Sequence, residues 1–483
     1  MPGTVDSPDF GGILIRAASR FGWGAQTVNE LERLLTPARV LRDAESLAHW
    51  GRDWTRSFPI APQAIVFPTS TEEVVELVRW ANQTRVPLVP SGGRTGLSGG
   101  AVASRGEVVV SFDRLNRVLG FEPADRIVTC QAGVVTAALQ SFAAEQGLFY
   151  PVDFASSGSS QIGGNVATNA GGIKVIRYGM TREWIAGLRV VTGAGELIDC
   201  NRGLTKNATG YDLRHLFVGS EGTLGFVVEV DIRLIAPPAP QRVMVLGVER
   251  FRDILAVLDR FQQSIVLSAF EFFSELALQK VTAHRALARP LSGAAPFYAL
   301  LEFDASAEDK ALGAFEACVA AGFVTDGVLS QSDAQASALW QLREGISESI
   351  AADTPYKNDL SVRVSRLPAF LDGIDDLVRT RYPDFEVCWY GHIGDGNLHL
   401  NILKPQALSQ EVFFERCHEI SPEIFARVAA LNGSISAEHG VGLLKRDFLP
   451  FARSTAEIAL MRAMKAVFDP AGIMNPGKLL SVA

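Results

Sequence analysis

Along this chain the spacing of apolar residues changes period several times, and each change marks a different kind of element. Up to about Trp54 the apolar positions recur at helical spacing in short pieces and carry no chemical motif. From Phe58 onward, short apolar runs alternate with amphipathic stretches. Ser70-Thr71-Glu72-Glu73 has the form of a capping box, in which Ser and Glu side chains satisfy the free N–H groups of a helix start. Val74, Leu77, Val78 and Ala81 follow at helical spacing and predict an amphipathic helix. Apolar runs at 86–89, 108–110 and 127–129 predict buried strands, and a second strand-rich block covers 188–191 and 226–232. The stretch Ala236-Pro237-Pro238-Ala239-Pro240 breaks regular structure and is the clearest domain boundary. Beyond it, strands at 243–248, 298–303, 386–390 and 398–402 alternate with longer helices such as 308–320 and 411–431. That order suits an antiparallel sheet covered by helices on one face. There is no internal repeat and no low-complexity tail.

Composition narrows the picture without changing it. A chain of 483 residues is too long for one ordinary core, so two or more domains are expected. An apolar fraction of 47% with 20% charged residues is that of a soluble globular protein. The net charge of −8 argues against non-specific nucleic-acid binding, which needs a basic surface. Five scattered cysteines (Cys130, Cys200, Cys318, Cys388, Cys417) form no CxxC pair, which excludes a disulfide framework and suits a reducing compartment. No secretory signal is visible at the N-terminus, and no uncharged apolar run approaches the ~18 residues of a membrane span. A cytoplasmic protein is the expectation.

The candidate chemistry is concentrated in the second half. His392 and His399, two of only seven histidines, flank a glycine-rich turn that leads into a strand. A second pair, Glu438-His439, follows within Ser436–Gly442. Two His and one Glu form the ligand set of an open catalytic zinc site. Strand alternation puts His399 and Asn401 on one face. A single histidine of this kind is more often a turn or core residue. The two segments together point to a metal or an acid–base site.

The first half carries a different signal, which is glycine density. One loop runs Pro90-Ser91-Gly92-Gly93-Arg94-Thr95-Gly96-Leu97-Ser98-Gly99-Gly100. A second runs Gly158-Ser159-Ser160-Gln161-Ile162-Gly163-Gly164-Asn165 and continues to Asn169-Ala170-Gly171-Gly172. A third is Gly219-Ser220-Glu221-Gly222-Thr223-Leu224-Gly225. Glycines permit close backbone approach, so successive N–H groups can converge on a pyrophosphate. None of these loops has GxGxxG spacing or a GK[ST] P-loop, so a Rossmann NAD site and a nucleotide triphosphatase both lose ground. A long dinucleotide laid across backbone amides fits better.

These glycine segments, with Pro151-Val152-Asp153, resemble the FAD domain of the vanillyl-alcohol oxidase and p-cresol methylhydroxylase group. The second half resembles the FAD-linked oxidase C-terminal domain of D-2-hydroxyacid dehydrogenases. The resemblance extends from about Phe58 to Leu480 and includes Asp469–Lys478. Leu342-Arg343-Glu344 and Tyr356-Lys357-Asn358-Asp359-Leu360-Ser361 are similar to the branch that oxidises the dicarboxylate D-2-hydroxyglutarate to 2-oxoglutarate. The implied fold class is α+β: a p-cresol methylhydroxylase-type (PCMH-type) FAD-binding domain of two α/β subdomains, plus a substrate domain with an antiparallel sheet covered by helices. The implied boundaries are an N-terminal helical segment (1–57), the FAD domain (58–236), the substrate and metal domain (237–450) and a C-terminal helical segment contacting the FAD domain (451–483).

The resemblance also implies residue roles. Flavin contacts fall on Pro90, Ser91, Gly92, Gly93, Arg94, Thr95, Gly96, Ser98 and Gly99 in the first loop, and on Pro151 and Asp153. They continue at Gly158, Ser159, Gly163, Gly164, Asn165, Thr168, Asn169 and Gly172, then at Glu221, Gly222, Gly225, Val227 and Asn475. Neither long glycine loop contains the His through which some relatives bind FAD covalently, nor a Cys, which implies a non-covalent flavin. The metal ligands carry over to His392, His399 and Glu438, holding Zn2+, and the acid–base residue to His439. Arg343 and Lys357 are expected to grip a distal carboxylate, Asn401 the near one, and Asp395 and Asp359 to orient ligands. Ser347 stands where close relatives have a substrate-binding threonine. The expected electron acceptor is an electron-transferring flavoprotein or a quinone rather than NAD. Oligomeric state, a homodimer included, stays open. The competing functions are a D-lactate, D-malate or glycolate dehydrogenase of the same architecture, and a flavin-binding electron-carrier subunit.

Overall fold

A computed structural model describes residues 25–55 and 57–481, so the part of the N-terminal helical expectation at 1–24 lies outside the described residues. Three sheets organise the rest. The first contains β1 (Val40–Leu41), β2 (Ala64–Val66), β3 (Leu88–Ser91) and β4 (Val108–Ser111), in the order β1-β2-β4-β3. Its last three strands are parallel and β1 is antiparallel at the edge. The helix Thr71–Thr84 buries Val74, Leu77, Val78 and Ala81, at the spacing read from the sequence. Burying each Val or Leu of this set contributes about 1.5–3 kcal/mol. The helix start differs from a full capping box. Ser70 accepts from Glu73 N, but the Glu73 carboxylate turns to Thr69 N at 2.7 Å and to the Arg39 guanidinium. An ion pair with a neighbouring element outcompetes the local reciprocal bond.

The second sheet contains β5 (Val118–Glu122), β6 (Ile127–Gln131), β7 (Ile185–Thr192), β8 (Leu197–Cys200) and β9 (Gly225–Arg233), ordered β5-β6-β9-β7-β8 and antiparallel throughout. The first two sheets share one core, in which Val66 and Val110 lie with Val128, Leu188 and Val230.

After the proline-rich break comes one antiparallel sheet of seven strands. These are β10 (Gln241–Val248), β11 (Leu267–Ser274), β12 (Phe297–Asp304), β13 (Asp326–Leu329), β14 (Tyr356–Ser361), β15 (Glu386–His392) and β16 (Asn397–Leu403), ordered β13-β10-β12-β11-β15-β16-β14. The helices Phe251–Ser264, Leu367–Arg381 and Gln410–Ala430 contribute to a core on one face. The opposite face is also covered, by Glu275–Arg285, Asp333–Glu344 and Ile346–Ser349, whereas the sequence pattern suggested cover on one side only. The reason is that Val243, Val245, Ala269, Phe273 and Leu300 make this second face apolar too. The core on this face extends to Cys388 and Tyr390 of β15, and beyond it the face turns polar at Lys357 and Asp359 of β14 and His399 and Asn401 of β16. The chain then returns to the first half: Lys465 donates to Thr223 O, Ile473 O accepts from Leu88 N, and Asn475 N donates to Leu88 O. No helix among the described residues is long and apolar enough to cross a membrane.

Candidate active site

Strand register brings the polar residues of the large sheet onto one face. β15 and β16 pair Tyr390 with His399 and Cys388 with Asn401, while β14 and β16 pair Asp359 with His399 and Lys357 with Asn401. β11 pairs Phe273 with Tyr390, so Glu271, two residues along, faces the same side beside His392. Because side chains alternate along a strand, Glu271, Lys357, Asp359, Tyr390, His392, His399 and Asn401 all project together. The crossing at His392 needs Gly391, since a Cβ there would stand 2.4 Å from Asn397 O.

His392 Nδ1 lies 2.8 Å from Glu271 Oε1, and its Nε2 lies 3.8 Å from Glu438 Oε2. Ligand atoms of His392, His399 and Glu438 all fall within 4.8 Å of one another. His439 stacks on His399 at 6.2 Å between ring centroids, with its Nδ1 3.6 Å from Asp359 Oδ2. Asp359 holds this corner together. Its Oδ2 accepts from the N–H groups of Glu438 (2.8 Å) and His439 (3.1 Å), and its Oδ1 from Asn397 Nδ2. Burial by itself would raise the Asp359 pKa. The charges of His439, Lys445 and His399 outweigh that and hold the carboxyl well below the usual carboxylate range. Asp395 has the local role of accepting from Asn397 N in the turn.

The loop carrying Glu438 and His439 is gripped from the flavin side as well. Glu221 accepts from Val441 N and Gly442 N, both at 2.7 Å, and Ser98 Oγ donates to Gly440 O. A Cβ on Gly171 would lie 2.8 Å from Glu438 Oε1, so the second glycine segment abuts the cluster directly. Burial raises the Glu221 pKa, against the two N–H bonds and Lys445.

The donor chemistry fits a divalent metal. Burial disfavours charge on His392, yet Glu271 and Glu438 overcome it and push its pKa up to about 9. His399 is driven the other way, first by burial and then by the charge on His392. Two imidazoles and a carboxylate whose ligand atoms converge within 4.8 Å are the donor set that such an ion requires.

Of the substrate-binding candidates, Lys357 and Asn401 sit on the polar face of the sheet, His439 on the adjoining loop, and Arg343 and Ser347 on the helices Asp333–Glu344 and Ile346–Ser349. Lys357 Nζ donates to Ser347 Oγ at 2.9 Å. Arg343, 5% exposed, lies over the Tyr390 ring at 4.8 Å and pairs with Glu271 Oε2 at 2.8 Å. Among the described residues its Nε and Nη2 make no aligned hydrogen bond, so Nη2 meets Glu271 as an ion pair only. Asn401 differs from expectation in one respect: its amide already donates to Cys388 O and His399 O, which ties it to the backbone. Glu271 escaped the sequence reading. The available signal was a lone carboxylate in the otherwise apolar or small-residue strand Leu267–Ser274.

On the flavin side the glycine loops interlock. A Cβ on Gly93 would stand 2.1 Å from Ser159 O, and one on Gly222 would stand 2.6 Å from Pro90 Cγ. Arg94 and Gln161 both bind Asp113. Asn165, an expected flavin contact, donates its side-chain amide to Thr136 Oγ1 inside the core. Asn475 Nδ2 ties Gly100 O to Glu221 O. Among the described residues, Gln161 Oε1 and Asn475 Oδ1 are buried without partners, and a Cβ on Gly158 or Gly164 would meet nothing within 4 Å. Unsatisfied acceptors beside open glycine backbone fit a bound dinucleotide.

The geometry defines a two-part flavoprotein, with a glycine-looped nucleotide domain facing a sheet that carries a metal-type cluster. Comparison with known proteins agrees. Residues 62–201 match an FAD binding domain, and 237–479 match the C-terminal domain of FAD linked oxidases. The chain is 59% identical over 457 residues to D-2-hydroxyglutarate dehydrogenase of Stutzerimonas stutzeri, covering 94% of this chain and 98% of that one. It is 38% identical to the mitochondrial D-2-hydroxyglutarate dehydrogenase of Bos taurus, covering 93% and 82%. Among solved structures, 4-ethylphenol oxidase from Gulosibacter chungangensis superposes with a TM-score of 0.74 at 16% identity, covering 99% and 98%. A p-cresol methylhydroxylase superposes at 0.73 with 15% identity, covering 96% and 97%; both likenesses show the fold. The chain belongs to the FAD-linked oxidase family.

Proposed function

We propose that this FAD-dependent D-2-hydroxyacid dehydrogenase oxidises D-2-hydroxyglutarate to 2-oxoglutarate. The observation that carries the reading is the strand register, which sets Lys357 beside Asn401 and Asp359 beside His399. A metal-type cluster and a cationic end thus lie one strand-step apart, and a 2-hydroxy dicarboxylate has a matching pair of ends. The names of the similar dehydrogenases support the same substrate.

When bound, FAD supplies the acceptor for the C2 hydride, and a divalent ion such as zinc at His392, His399 and Glu438 lowers the hydroxyl pKa. The chain's own residues do the rest. With Nδ1 turned to Asp359, His439 uses Nε2 to take the hydroxyl proton. Asp359 orients His439 and stabilises the charge it gains. Lys357 and Ser347, with the open Nε–H of Arg343, take the distal carboxylate. Reoxidation is assigned to an electron-transferring flavoprotein or a quinone, as the family resemblance implies.

Anaerobic bleaching of the flavin across a panel of D- and L-hydroxyacids tests the proposal, with D-2-hydroxyglutarate expected to react fastest. A charged hydrogen bond is typically worth ~1.5–3 kcal/mol. At ~1.4 kcal/mol per decade, Lys357→Ala should lower kcat/KM for this substrate by about one to two orders of magnitude. D-lactate, with a methyl at that end, should lose much less. Equal losses on both, or a wild type that prefers D-lactate, would assign the chain to the monocarboxylate branch. A flavin that no hydroxyacid bleaches would favour the electron-carrier reading.

The flavin itself should be held without a covalent bond, because the two long glycine loops offer neither His nor Cys. Acid precipitation should release the yellow chromophore into the supernatant. Colour retained in the pellet would contradict this.

A further inference from the structure

We infer that Glu271 is a positioning residue of this site, fixing the His392 ring so that Nε2 faces Glu438 and His399 while anchoring Arg343 to the same point. The inference deepens the metal reading above and rests on it. Glu271 sits in β11 at 1% exposure, flanked by Phe270 and Phe272. A carboxylate so deeply buried is costly unless both oxygens are engaged. One oxygen meets His392 Nδ1 at 2.8 Å, and the other lies 2.8 Å from Arg343 Nη2.

An imidazole offers a metal one nitrogen, and the partner of the other nitrogen decides which one. With Nδ1–H held by Glu271, the lone pair of Nε2 points into the cluster, 3.8 Å from Glu438 Oε2. Among the described residues no other side chain is hydrogen-bonded to Nδ1, so without Glu271 a flipped ring would present the wrong atom. The same carboxylate holds a guanidinium that is 5% exposed and stacked on Tyr390; its Nη2 is committed to Glu271, and among the described residues its Nε is still open as a donor. One side chain therefore sets both the metal ligand and the substrate-facing cation. That double contact makes Glu271 a link between metal occupancy and grip on the distal carboxylate.

The test uses the FAD-loaded enzyme. Zinc affinity is measured by competition with a chromogenic chelator for wild type, Glu271→Gln and His392→Ala. Flavin content and melting temperature report the fold. Glu271→Gln is expected to keep its flavin yet bind zinc roughly 10–100-fold more weakly. Its cobalt-substituted form should show an altered visible spectrum. At saturating metal, KM for D-2-hydroxyglutarate should rise more than kcat falls. Zinc affinity within twofold of wild type, together with an unchanged cobalt spectrum, would overturn the assignment. A wild type that binds zinc no better than His392→Ala would overturn the metal reading, and this inference with it. If Glu271→Gln fails to fold because Arg343 is left buried and unpaired, the double variant Glu271→Gln/Arg343→Met removes that charge. It should show the same loss of zinc affinity, and wild-type affinity there would refute the proposal.

Discussion

Replacing His392 with alanine, or stripping the divalent ion with a chelator, is expected to abolish flavin reduction by D-2-hydroxyglutarate while the flavin stays bound. The two operations should be equivalent, because His392, His399 and Glu438 hold their ligand atoms within 4.8 Å of one another. Lewis-acid stabilisation of a developing alkoxide is worth several kcal/mol. At ~1.4 kcal/mol per decade, its loss should slow reduction by roughly three orders of magnitude or more. The flavin should persist, because the interlocked glycine loops are built on the first two sheets, whereas His392 belongs to the third. Anaerobic stopped-flow absorbance, with metal and FAD analysis of the same samples, provides the measurement. Full activity in metal-free protein would make the three residues structural.

His439→Gln should lower kcat by about two to four orders of magnitude, the usual contribution of a positioned general base. Metal and flavin contents should stay near wild type. The loop is held through backbone groups: Asp359 accepts from the N–H groups of Glu438 and His439, and Glu221 from those of Val441 and Gly442. None of these bonds uses the His439 ring, so its replacement leaves the loop in place. A loss smaller than tenfold would return the ring to a packing role and move proton transfer to another group.

The reach of the sequence can be judged residue by residue. Val74, Leu77, Val78 and Ala81 showed their helix because a 3.6-residue period is a local property. The strand expected at 86–89 begins instead at Leu88, since Pro87 has no N–H to give a ladder. The glycine loops could be read as a dinucleotide cradle because backbone permissiveness is itself a residue property. Their contact with Glu438 through Gly171 could not. Arg343 looked like a free clamp, and the fold pairs it with Glu271. Asn401 looked like a carboxylate donor, and the fold commits its amide to two carbonyls.

The sequence by itself determined the chemistry that was available: two histidines and a glutamate, three glycine-rich segments, and no NAD fingerprint. It also determined that His399 and Asn401 share a face, because strand alternation depends only on neighbours two residues apart. Tertiary structure decided which distant residues complete the site. Glu271 reaches His392 across 121 positions because β11 pairs with β15, and Asp359 reaches His439 across 80 because β14 closes the sheet edge beside the 434–442 loop. Such contacts are set by strand order and register. Those follow from how whole faces bury their apolar residues, which no local window of the chain records.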